Sequence, residues 1–238
     1  MTDIELQNVT LDILQRGKRV NILEKVSFSF PREHIALIGE SRANAVAVID
    51  LLCRRLLPQR GRIVYRGRIS WPIGHMGPFS VAVTGTQATS HFATLYGVDR
   101  GVALDFLAAE FQGARELNRP IYTWPRPLQV QFMLLMSLIP NFDIYIVDSN
   151  MVLTEDVAFT NRFLQLFFAR IKGRTALFTA RQVRFVKQVC KVAVVVGESK
   201  LILTGDLEMA LRISDKVPSQ QDVILEENTL QADDGFLL

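Results

Sequence analysis

The chain has 238 residues, 49% of them hydrophobic and 21% charged, which allows one sizeable α/β core and excludes a disordered or fibrous protein. A formal charge of only +3, with basic residues scattered along the chain, means that a pI near 9.0 does not by itself indicate a nucleic-acid surface. The two cysteines, Cys53 and Cys190, lack metal-type spacing and read as buried thiols of a reducing compartment. No apolar run approaches the roughly 20 residues that span a bilayer, and the N-terminus has no basic-then-apolar leader, so a cytoplasmic protein is expected. A mean hydropathy of +0.19 fits a surface covered by partners.

Strands come first. Ile4 to Leu11 and Val26 to Phe30 alternate apolar and polar residues around the turn-like Gln15-Arg16-Gly17-Lys18, predicting an antiparallel β edge. The apolar run His34 to Ile38 ends at Gly39, and a helical pattern follows from Ala45 to Leu57, stopped by Pro58. Short strands around Gly67 and a Pro/Gly-rich loop lead into a helical subdomain expected over about residues 80–140. The second half returns to βαβ order: a strand at 143–148 with Asp148 at its carboxyl end, a helix at 160–171, a strand at 175–179, a helix at 183–190 and a strand at 192–196. Phe159, Phe163 and Phe167 recur every four residues and read as one core-facing helix stripe. The main domain is expected to span residues 1–217, with a polar, acidic tail at 218–238.

The order of these segments, with Ala36-Leu37-Ile38-Gly39, Ile69-Ser70-Trp71-Pro72-Ile73-Gly74, Val83-Thr84-Gly85 and Ile144-Tyr145-Ile146-Val147-Asp148, resembles the ATP-binding subunits of ABC transporters. The Ser-Trp-Pro-x-Gly element is similar to the subfamily that exports capsular polysaccharide and related surface glycans. The resemblance runs over roughly residues 3–210. It implies a P-loop NTPase-like ABC nucleotide-binding domain: α/β, with an antiparallel β edge and a helical subdomain.

The same resemblance identifies positions where the chain departs from the family. The phosphate-binding loop reads Gly39-Glu40-Ser41-Arg42-Ala43-Asn44-Ala45-Val46, in which Gly39 is the one glycine kept, Ala45 stands for the lysine and Val46 for the magnesium-binding hydroxyl. Arg42 and Asn44 replace glycines whose missing Cβ lets backbone wrap a phosphate. Asp148 keeps the metal-orienting aspartate, but Ser149 replaces the glutamate that polarises water, and Arg181 stands at the switch histidine. The signature-like stretch Thr123-Trp124-Pro125 brings prolines where amide donors belong, Ser80 stands at the Q-loop glutamine, and Ile13 at the adenine-stacking aromatic. Asp156 matches the D-loop aspartate. His34, His75 and His91 share no ligand-like spacing, so no metal site is expected.

Family dimers form each ATP site from one subunit's phosphate loop and the other's signature loop, and here both halves are altered. The expectation is therefore a chain without bound ATP or magnesium, deficient in hydrolysis. Its expected partners are a membrane-spanning permease, with an intact ATPase subunit or a second copy, at the inner face of the cytoplasmic membrane; no nucleic acid is expected. The alternative is a rearranged site in which Arg42 and Asp148 still bind Mg-ATP and power glycan export.

Overall fold

Two antiparallel strands, β1 (Ile4–Gln15) and β2 (Lys18–Phe30), open the chain as a hairpin turning at Gly17. The computed structural model describes residues 3–15, 17–74, 80–147, 156–179 and 183–214. The hairpin runs closer to its turn than the alternation to Leu11 predicts. Asp12 ties the added rungs by accepting hydrogen bonds from Asn21 (2.7 Å) and Arg19 (2.9 Å), which hold its carboxyl below the usual range. Strand β4 (Arg60–Tyr65) pairs with β1 to complete a three-stranded antiparallel sheet ordered β2-β1-β4.

Strands β3 (His34–Gly39), β5 (Ile69–Ile73), β6 (Ile144–Val147), β7 (Thr175–Thr179), β8 (Val192–Gly197) and β9 (Lys200–Thr204) form the second sheet, ordered β5-β6-β7-β3-β8-β9. All its pairs are parallel except β8 with β9. Strand alternation sends its side chains into two cores. Ile35, Leu37, Ile144, Ile146, Leu177, Val194 and Val196 face helix α1 (Arg42–Leu52) and the antiparallel sheet. Ala36, Ile38, Tyr145, Val147, Phe178 and Val195 face the helices on the opposite side. A strand buried on both faces must be apolar at every position, which is why these runs show no polar alternation.

Helices α2 (Gly85–Tyr96), α3 (Arg100–Glu110) and α4 (Arg126–Met136) lie between β5 and β6, joined by two short 3₁₀ turns. α2 opens on a reciprocal cap between Thr84 and Gln87 and closes on left-handed Gly97. Helix α5 (Val157–Ile171) buries Phe159, Phe163 and Phe167 as read from the sequence, their rings stacked at 6.4 and 5.7 Å. Helices α6 (Val183–Val189) and α7 (Leu207–Ser214) complete the described chain. His34 is a structural tie: its ring nitrogens face the carbonyls of Val189 (3.3 Å) and Ile171 (3.2 Å), at the ends of α6 and α5. Burial pushes the Cys190 thiol up to about 12, which makes it unreactive at neutral pH. No helix among the described residues is long and apolar enough to cross a membrane.

Candidate functional site

The carboxyl ends of β3, β6, β7 and β8 lie side by side, and this is the edge at which open α/β sheets present their ligand-binding loops. Val147 registers with Phe178, Thr179 with Leu37, and Gly39 with Val196. The segments that follow β3, β6 and β7 therefore leave the sheet next to one another. Asp148, Ser149 and Arg181 follow β6 and β7 and lie outside the described residues, as does His75.

The loop after β3 is short. The expected helix starts at Ala45, but α1 begins at Arg42, because Ser41 acts as its N-cap. The Asn44 amide donates to Ser41 within the loop (3.3 Å to Oγ, 3.1 Å to the carbonyl), and the Ser41 hydroxyl donates to Asn44 Oδ1 at 2.8 Å. Asn44 occupies a position where the resemblance places a glycine amide aimed at phosphate, and here that amide has a partner inside its own loop. A Cβ on Gly39 would overlap the Ser41 carbonyl, so this glycine serves the tight turn itself. Ala45 is buried at 7% exposure, and Val46 presents an apolar side chain to solvent at 38%. The side chain of Arg42 lies outside the described residues.

Glu40 stands at the mouth of this loop. Its amide donates to Val196 (3.0 Å), and its carboxylate accepts from the Glu198 amide (3.3 Å). Gly197 leaves the space in which that carboxylate lies, since a Cβ there would overlap it. A fixed negative charge beside the loop opposes an anionic ligand.

The signature-like stretch corrects one expectation. A Trp124 facing a partner's nucleotide would be exposed, but its ring is buried at 3%, against Phe111 (centroids 5.5 Å) and Phe132 (5.2 Å). Its indole N–H donates to the Arg119 carbonyl at 3.2 Å, which satisfies the one polar group on an otherwise apolar ring. Thr123 and Pro125 are exposed; the Thr123 hydroxyl donates to the Pro120 carbonyl at 2.7 Å. Pro125 is the N-cap of α4 and makes no side-chain cap. With Pro125 and Pro127 lacking N–H groups and the Leu128 amide bonded to Pro125, little remains at this helix end to receive an anion.

Asp156 caps α5, accepting from the Phe159 amide (2.9 Å) and from Gln112 (2.8 Å). The Phe159 amide, then Gln112, holds its carboxyl below the usual range. Ser80 is exposed and accepts from the Ala82 amide at 3.2 Å. Ile13 pairs with Val20 and packs against the core between the two sheets, so neither residue supplies an aromatic platform.

This architecture matches solved ABC ATPase domains. A structure described as the ATP-binding subunit of an ABC transporter superposes with a TM-score of 0.71 over 94% of this chain and 99% of its own, at 18% identity. The ATP-binding cassette MJ0796, solved as a post-hydrolysis dimer with ADP and Pi, gives 0.64 over 85% and 98%, at 13% identity. Among curated proteins, the polysialic acid transport ATP-binding protein KpsT of Escherichia coli is 25% identical over 226 residues, covering 94% of this chain and 100% of the relative. The chain is a homologue of the capsule-export ABC ATP-binding proteins. The capsule polysaccharide export ATP-binding protein CtrD of Neisseria meningitidis is 23% identical over 216 residues, 90% of this chain and 100% of its own. BexA of Haemophilus influenzae is 24% identical over 190 residues, 79% and 87% of the two chains. No protein-family model matches the chain. The ABC ATPase fold accounts for the convergence of the β3–α1 loop with the ends of β6 and β7, the edge at which open α/β sheets present ligand-binding loops.

Proposed function

We propose that this ABC ATP-binding-subunit homologue serves a surface-polysaccharide exporter as a non-catalytic docking or regulatory subunit. It acts at the cytoplasmic face of the membrane, against the permease or an intact ATPase subunit. The observation that carries the reading is the β3–α1 loop. Ala45 and Val46 supply neither a cation nor a hydroxyl for Mg-ATP, and Ser41 takes the Asn44 amide into an early helix start. Phosphate loops bind by presenting free amides, a lysine and a metal-binding hydroxyl together. The export association rests on the named relatives, and the docking role on the scaffold and on the family resemblance of the Trp71 to Gly85 region.

Calorimetric titration of the folded chain with Mg-ATP tests the non-catalytic reading. No saturable heat is expected up to millimolar nucleotide, which corresponds to a binding free energy weaker than about −4 kcal/mol. Saturable micromolar binding would overturn the proposal in favour of the alternative, a rearranged site using Arg42 and Asp148. Docking has its own test. Replacing the exposed Ser80 and Ala82 with glutamate is expected to stop glycan export while the melting temperature of the purified chain stays unchanged. Normal export by such a variant would remove this region from the docking surface.

A further inference from the structure

The last strand of the central sheet is left open. β9 pairs with β8 on one side, and no strand pairs with its other side among the described residues. β2 reaches this region at the turn before β9, where the Glu24 amide donates to the Ser199 carbonyl at 2.9 Å. Beyond that turn β9 is apolar and uncovered: Ile202 is 53% exposed and Leu203 47%, although neighbouring residues of a strand point to opposite faces. One solvated face would expose one of them; a bare edge exposes both. An apolar edge of this kind is a template for a further strand, and folded chains usually cover it. The β8–β9 register identifies the unpaired groups. The two-residue turn at Glu198 and Ser199 makes Gly197 and Lys200 the closing pair, so Ile202 is bonded to Val195, and the backbone N–H and C=O of Leu203 point away from β8.

The chain itself supplies a matching segment. Asp222-Val223-Ile224-Leu225-Glu226 sets three apolar residues between polar ends, as Lys200-Leu201-Ile202-Leu203-Thr204 does. In either direction of addition Lys200 faces an acid, Asp222 or Glu226. The path is short because it stays on one side of the sheet. α7 lies over β3 and β8, with Ala210 and Leu211 in the same core as Ala193 and Val195, and residues 215–238 follow it. Three strand spacings of about 4.8 Å and one layer of about 10 Å place the open side of β9 about 17 Å from α7, or about 24 Å with an offset of the whole strand length. Eight residues from Ser214 to Asp222 extend to about 26 Å, with no need to pass round the sheet.

We propose that residues 222–226 add to the outer edge of β9, with Ile224 beside Ile202, and so close the central sheet against strands of other molecules. Amide exchange followed by NMR on the full-length chain tests it, with Leu203 as the reporter because β8 gives its amide no partner. This amide is expected to exchange at least about tenfold more slowly than an unpaired one, and Ile224→Asp to remove that protection while β7, three strands away, keeps its own. Adding Ile202→Lys opposite the new carboxylate should restore protection, a rescue that general destabilisation cannot produce. The proposal falls if Leu203 exchanges as an unpaired amide in the unmodified chain, if Ile224→Asp leaves it protected, or if the paired substitution fails to restore it. It also falls if the protection grows with protein concentration, which would assign the edge to a second copy.

Discussion

Replacing Trp124 with alanine is expected to lower the unfolding free energy by about 3–5 kcal/mol, the usual cost of deleting a large buried aromatic side chain. The ring is wedged between Phe111 and Phe132, and Gly85 faces it with no side chain to move into the space left behind. The cavity would therefore persist. The substitution also leaves the Arg119 carbonyl without the indole donor. Urea denaturation followed by far-UV circular dichroism measures the loss. A change within about 0.5 kcal/mol, the range for exposed positions, would mean that Trp124 faces outward after all.

Gly61→Ala is expected to cost about 2–5 kcal/mol for two separate reasons. Gly61 has φ +82°, in the left-handed region that costs a residue with a Cβ about 1–2 kcal/mol. The added Cβ would also overlap the backbone of Asn8 and Gln7, and overpacking adds about 1–3 kcal/mol. Asn8, itself at φ +51°, lies where the β1 register shifts against both neighbours, so the collision falls on a bulge with no flexible side chain to yield. Thermal unfolding of the variant measures the loss. A melting temperature within about 2 °C of the parent would show that the bulge can move aside.

Local signals were read well where period and burial agree. β3, β7 and β8 came within one residue of their observed bounds, because strands buried on both faces are continuously apolar and end at Gly39, Thr179 and Gly197. The α5 stripe was legible because phenylalanines four residues apart can share only a helix face. The apolar helical pattern starts only at Ala45, three residues after α1 begins, although Ser41 three residues before Asn44 is a capping signal in plain sight. β9 and α7 were not predicted. The β8–β9 turn carries Glu198 and Ser199 at φ +47° and +59° without the Asn or Gly that announces such turns.

By itself, the sequence determined the layered α/β order and the apolar strands. These follow from residue type and spacing, which act over one or two turns of chain. The tertiary structure alone decided where Trp124 points and where Glu40 lies. Trp124 turns inward because Gly85, 39 residues earlier, leaves room for its ring. Glu40 settles over Gly197 because β3 and β8 are neighbours in the sheet. Each outcome depends on space made by a residue distant in sequence, and that space exists only once the chain has folded.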